Sequence, residues 1–271
     1  VTDLAALLAL YGTPPPPLPP ASSALRVLAD ARLEAVPFED TLVATYAWGA
    51  GSGPLCLLVH GWSSKAADMA AFVRPLVRRG WRVAALDLPA HGETPGSGGR
   101  HLTSLLQMSR AVRAQAQRLG GVSVLLGHSL GAAACCYAAA ASAPLPGPAA
   151  VAERLILLGL PVSLDDMTRR FLARQGVPES RHAAFRAALE DAYDTPLAAV
   201  AVARCAGDLP RPILMVHDRD DPNVPFAEAA ALAARLPETT FLATAGLGHA
   251  GLLTAPAVIR AAARFVDGPP R

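Results

Sequence analysis

The stretch "VSVLLGHSLGAAACCYAAAA", Val122–Ala141, holds three signals in succession. Val122–Gly127 is a short, nearly unbroken apolar run, the pattern of a strand buried on both faces. "GHSLG", Gly127–Gly131, follows without a spacer, and "AAACCYAAAA" then reads as a helix. A G-x-S-x-G pentapeptide alone is common. Between a strand and a helix it describes a sharp turn that lifts the central serine out of the sheet edge. The two glycines leave room for neighbouring strands, so Ser129 is the candidate nucleophile. The N–H of Leu130 points from the start of the helix, whose positive end suits a developing oxyanion.

The same alternation continues on both sides of this turn. Further strand-length apolar runs are Leu55–His60, Arg82–Asp87, Arg154–Gly159, Pro212–Asp218 and Thr240–Ala245. The spacers carry helical period: Met69, Phe72, Val73, Leu76 and Val77 form one face. Leu102, Leu105, Leu106, Ser109 and Val112 form another. Strands alternating with helices predict an α/β fold with a doubly wound, mostly parallel sheet. A hairpin of Leu33–Phe38 and Leu42–Trp48 is expected ahead of it, and a final helix over Pro256–Val266.

One spacer is too long for a simple crossover, with about fifty residues between Gly159 and Pro212. In "RHAAFRAALEDAY", Phe185, Ala188, Leu189, Ala192 and Tyr193 fall at i, i+3, i+4, i+7 and i+8. "DDMTRRFLARQ" reads as a second helix. A long insertion at the carboxyl edge of a sheet is usually functional, so residues 162–210 are expected to form a compact helical cap over the site. Phe171, Phe185, Leu189 and Tyr193 on its apolar faces are candidate substrate contacts. Gluing the cap to the domain is their competing role. The core is expected over 32–161 and 211–271. Residues 1–31 read as a Pro-rich N-terminal arm, stiffened by the Pro14–Pro20 tract.

Composition removes several classes of partner. Hydrophobic residues make up 52% and charged residues 17%, which suits a large core and not a disordered chain. The net charge is +2 with no long basic run, so nucleic acid is a poor partner. Lys65 is the only lysine, which makes arginine the default cation and no single arginine a marker of anion binding. Cys56, Cys135, Cys136 and Cys205 show no CxxC or His-rich spacing, which predicts buried thiols in a reducing, cytoplasmic setting and no zinc. The apolar run Leu4–Leu10 lacks a basic segment before it and is soon followed by prolines. It is too short for a secretory h-region with its flanks, and no membrane span is expected.

A serine hydroxyl needs a base, and the base an orienting acid. Seven histidines are available. His249 stands in "AGLGHAGLL", a glycine-rich loop between the last strand and the last helix, where the backbone can fold back over the sheet edge. His60, His91 and His128 sit inside other loop motifs, His101 and His182 read as surface residues, and His217 lies within strand character.

With these residues in this order the chain resembles the α/β-hydrolase superfamily, whose members run Ser…Asp…His. The overall pattern is similar to bacterial members with a small cap. "HDRDDPNVP" resembles the family's H-G-x-x-D-x-x-V-P loop, which implies Asp221 as the acid. Asp218 stands where glycine is usual, and Asp220 reads as a turn former or a partner for Arg219. Members with the acid one strand earlier leave Asp165 or Asp166 as the alternative. "HGWSS", His60–Ser64, resembles the family's HG-x loop and implies the Trp62 N–H as a second oxyanion donor beside Leu130, with the Trp62 ring lining the acyl pocket. "DLPAHGET", Asp87–Thr94, resembles a rim-shaping D-x-P-G-H-G-x-S loop with Ala90 in place of a glycine. The resemblance spans Leu55–Val266.

It implies a serine hydrolase acting on a small-molecule carboxylic ester, with no metal or organic cofactor. Thioester and amide or peptide cleavage use the same three residues. An aminopeptidase needs acidic groups for a substrate amine, and Glu190 and Asp191 are the only hint of them. An aspartate nucleophile is excluded because Ser129 holds the turn. The alternative from another class is a non-catalytic binding protein on a hydrolase fold.

Overall fold

A computed structural model describes residues 3–96 and 101–268. Its eight strands are β1 (Arg32–Phe38), β2 (Thr41–Trp48), β3 (Leu55–Val59), β4 (Arg82–Leu86), β5 (Val122–His128), β6 (Ala152–Leu158), β7 (Ile213–Asp218) and β8 (Thr239–Thr244). They form one sheet in the order β1-β2-β4-β3-β5-β6-β7-β8. β1 pairs antiparallel with β2, and β2 antiparallel with β4; every other pairing is parallel.

The helices are α1 (Leu4–Gly12), α2 (Ser22–Ala29), α3 (Ala70–Val77), α4 (Leu105–Arg118), α5 (Leu130–Ala139), α6 (Leu164–Arg174), α7 (His182–Tyr193), α8 (Val202–Cys205), α9 (Phe226–Ala233), α10 (Gly248–Gly251) and α11 (Pro256–Phe265). Successive strand residues point to opposite faces, and here both faces are covered. Leu55, Leu57 and Val59 of β3 join Leu125, Leu155 and Leu157 in a core with α4 and α5. Cys56 and Leu58 join Val124, Leu126, Ile156 and Leu158 in a second core with α3 and α11. That split is why each central strand reads as a continuous apolar run. α5 is buried along its whole length, as its Ala- and Cys-rich sequence permits.

α6, α7 and α8 lie between β6 and β7 in the chain, in the stretch expected to form the cap. Leu164, Leu172, Phe185 and Leu189 extend the first core into it.

The amino-terminal segment is more than an arm. Asp3 caps α1, its carboxylate accepting from the Ala5 and Ala6 N–H groups, and the prolines separate α1 from α2. Leu4, Leu7, Leu8 and Tyr11 fall at i, i+3, i+4 and i+7, and all four pack on the first core. That spacing is a helix signal within the apolar run. None of the described helices is long and apolar enough to cross a membrane.

Candidate active site

Parallel strands bring the loops that follow them to one edge of the sheet, and α/β proteins bind ligands there. Ser129 follows β5, Trp62 follows β3, Asp221 follows β7 and His249 follows β8.

Ser129 has φ 55° and ψ −127°, a conformation that costs an L-residue free energy unless its surroundings impose it. The surroundings are two glycines and one strand. A Cβ on Gly127 would lie 2.5 Å from the Gly131 carbonyl oxygen, and one on Gly131 2.1 Å from that of His60. The Ser129 N–H donates to Leu158 O at the end of β6 at 2.8 Å. Gly61 packs so closely on the turn that a Cβ there would sit 2.8 Å from the Ser129 Cβ. The "HGWSS" loop therefore lies directly against the serine. Neither the Trp62 nor the Leu130 N–H is taken by an acceptor among the described residues.

The three aspartates of "DRDD" all serve the His249 loop. Asp221 Oδ2 accepts from His249 Nδ1 at 2.7 Å, and its side chain is fully buried. Its Oδ1 accepts the N–H groups of Asn223 at 2.8 Å and Val224 at 2.9 Å. Burial opposes ionisation of this carboxyl. The hydrogen bonds from His217, His249 and Val224 outweigh it and hold the group far below the usual carboxylate range. Asp218, where the family pattern has glycine, accepts from Thr244 Oγ1 at 2.7 Å, from Leu247 N at 3.2 Å and from Gly248 N at 3.0 Å. Asp220 accepts from Gly246 N at 2.8 Å. Arg219 instead lies over the Phe226 ring, 4.7 Å from its centroid.

With Nδ1–H donated to Asp221, His249 keeps Nε2 as its acceptor. The other histidines near the sheet edge are committed elsewhere. His60 accepts the Leu88 N–H on Nε2 at 3.0 Å and donates Nδ1–H to Gly61 O at 2.7 Å. His91 donates to Pro89 O, His217 to Val224 O, and His128 to the carbonyl of His249 itself at 3.1 Å. Burial pushes His60 down to about 4, and His91 and His128 down to about 3. All three are neutral supports near neutral pH. His217 also approaches Asp221 Oδ2 at 3.4 Å. Asp165 is paired with Arg169 and Arg186, and Asp166 with Arg169; neither bonds His249.

Ser129 and His249 line one cavity of about 480 Å³, together with Trp62, Leu130, Phe171 and Tyr193. That size suits a small molecule. The Ser129 hydroxyl makes no hydrogen bond among the described residues, and such contacts often tighten only when substrate binds. Phe185 and Leu189 do not line the cavity. Each is 1% exposed and packs in the first core, because a helix turns the middle of its apolar stripe toward the core and leaves its edges to the cavity. Leu10, Tyr11, Thr13 and Pro15 line it instead, from a segment with no chemical motif to mark it. Among the described residues no cluster of three or more His, Cys, Asp or Glu side chains is placed to hold a metal.

Comparison with known proteins agrees with this architecture. Residues 56–262 match the profile of the alpha/beta hydrolase family. The pyrethroid hydrolase of Sphingobium wenxiniae is 44% identical over 86 residues, 31% of this chain and 29% of that protein. Protein phosphatase methylesterase 1 of Rattus norvegicus is 35% identical over 94 residues, 33% of this chain and 24% of that protein. The matched segments thus span less than a third of either relative. An esterase structure from Pyrococcus furiosus superposes with a TM-score of 0.69 at 17% identity, covering 94% of this chain and 98% of that one, a likeness of fold. By the extent of the profile match and the order of its strands, the chain belongs to the alpha/beta hydrolase family.

Proposed function

We propose that this chain is a serine hydrolase that cleaves a carboxylic ester with an apolar acyl group, through an acyl-enzyme on Ser129. The observation that carries the reading is the 2.7 Å bond from His249 Nδ1 to the buried Asp221 carboxylate. With Nδ1–H directed at the carboxylate, Nε2 is the acceptor of the neutral ring, and the ring shares a cavity with Ser129. Nε2 takes the Ser129 proton as Oγ attacks the ester carbonyl, and Asp221 stabilises the imidazolium that forms. The N–H groups of Leu130 and Trp62 receive the oxyanion. His249 returns the proton to the departing alcohol oxygen. A water molecule, deprotonated by the same Nε2, then attacks the acyl-enzyme and releases the carboxylic acid and free Ser129.

The cavity chemistry supports an apolar ester over a peptide amine. Among the described residues no aspartate or glutamate lines it, and Glu190 is engaged with the Leu197 N–H at 2.8 Å. The two partial relatives are named for hydrolase chemistry, one of them a methylesterase.

The test is labelling with a fluorophosphonate together with hydrolysis of p-nitrophenyl esters. The expected result is one label on Ser129. Ser129→Ala should lose the label and on the order of 10⁴-fold in turnover. A folded Ser129→Ala variant that hydrolyses esters like the parent chain overturns the proposal.

A further inference from the structure

One wall of the cavity comes from neither the strand loops nor the cap. α1 carries no charged side chain. Tyr11 packs edge-on against Phe171 at 5.0 Å and against Phe185 at 5.7 Å. Its hydroxyl lies 2.9 Å from Thr168 Oγ1, whose own proton goes to Leu164 O at 2.8 Å, so Tyr11 is the donor. These contacts tie α1 to α6 and α7. A second set ties it to the core: Gly12 O accepts the Thr103 N–H at 2.9 Å, and Pro14 O accepts from His101 Nε2 at 3.1 Å. Gly12 is closely walled, a Cβ there lying 3.4 Å from both the Leu102 side chain and the Tyr193 hydroxyl. The segment is thus pinned from both sides. At this pinned end of the helix, Leu10 and Tyr11 line the cavity that holds Ser129 and His249, and Leu10 is still 41% exposed.

We propose that α1 is a specificity-determining wall of the binding site. Leu10 and Tyr11 contact an apolar chain of the substrate and set how long a chain the cavity accepts. The catalytic readout of this inference rests on the serine hydrolase reading; its binding readout does not.

Leu10→Trp tests it at a half-open position, where the fold should tolerate a larger ring. Tyr11→Ala tests it by removing wall. Ala5→Trp, on an exposed part of the same helix away from the cavity, is the control. The first measurement is the ratio of kcat/KM for p-nitrophenyl decanoate to that for the acetate. The second is the affinity for decanoate itself, by calorimetry in the Ser129→Ala background. Leu10→Trp should lower the ratio and weaken decanoate binding, each by about tenfold, the scale of a poorly fitted methylene or two. Tyr11→Ala should change the ratio, and Ala5→Trp should alter neither quantity. If no ester is hydrolysed but Leu10→Trp still weakens decanoate binding, the hydrolase reading falls and the wall stands. If a folded Leu10→Trp leaves both quantities at the parent values, or the parent chain binds no decanoate, the wall is overturned and the labelling of Ser129 is unaffected.

Discussion

Asp218 accepts the backbone N–H of Gly248 at 3.0 Å, one residue before His249. The same carboxylate holds Leu247 N and Thr244 Oγ1, and it is fully buried. A residue that departs from the family pattern therefore builds the platform on which the candidate base stands. Asparagine there would turn an NH₂ group toward N–H donors. Asp218→Asn is expected to cost about 3 kcal/mol of stability, the scale of losing charge-assisted bonds to a buried group. Denaturant unfolding measures that loss. Turnover should fall less than for Asp221→Asn.

Asp221→Asn removes the charge and leaves one carbonyl oxygen where two carboxylate oxygens serve the His249 Nδ1 proton and the Asn223 and Val224 N–H groups. The ring can then adopt the wrong tautomer, an effect of roughly 10⁴ in turnover in a well-studied triad. Steady-state kinetics across Asp218→Asn, Asp220→Asn, Asp221→Asn and Asp165→Asn should single out Asp221. A larger loss at Asp165 would move the acid to α6.

Ala90 has φ 62° where the family pattern has glycine. Left-handed backbone costs an ordinary L-residue about 1 kcal/mol. Ala90→Gly should therefore raise stability by up to about 1 kcal/mol, less whatever entropy the glycine adds to the unfolded chain. Thermal unfolding decides the sign. The neighbouring Gly92 has no such freedom, since a Cβ there would lie 2.2 Å from the Asp87 carboxylate.

Acid should destabilise the fold through its buried histidines. His60, His91 and His128 are held at about 4, 3 and 3, against about 6.5 in the unfolded chain. The unfolded state binds more protons between those values. The stability these groups contribute is complete above about pH 6.5 and falls as pH drops from there to about 3. At pH 5 unfolding should take up about three protons through them. Calorimetry in buffers of different ionisation enthalpy measures that uptake. His60→Gln should reduce it by about one.

Phe185 and Tyr193 should behave differently although both lie on α7. Phe185 is 1% exposed between Tyr11 and Phe171, so Phe185→Ala is expected to cost about 3–5 kcal/mol through the void it leaves. Tyr193 lines the cavity, so Tyr193→Ala should shift chain-length preference in an ester series with a smaller change in unfolding midpoint. Equal stability losses with an unchanged preference would make both residues packing alone.

The primary structure by itself determined the succession of strands, the turn at Ser129 and the loops that carry Asp221 and His249, while α1 and α2 read only as a Pro-rich arm. The strands, the turn and the loops are local properties. A strand buried on both faces must be apolar throughout, a tight elbow must have glycines where backbones touch, and the chemistry confines the site to a few residue types. α6 and α7 were legible for the same reason, since their apolar stripes recur at helical period. Tertiary structure decided what no local pattern encodes. The stripe of α7 divides between Phe185, which packs, and Tyr193, which faces the cavity, because α1 and α6 cover only part of it. The role of Asp218 depends on Gly248 and Leu247, about thirty residues further along the chain. Tyr11 meets Thr168 across 157 positions. Contacts at such separations depend on how whole elements dock, so a segment with no catalytic residue type comes to line the cavity that holds Ser129 and His249.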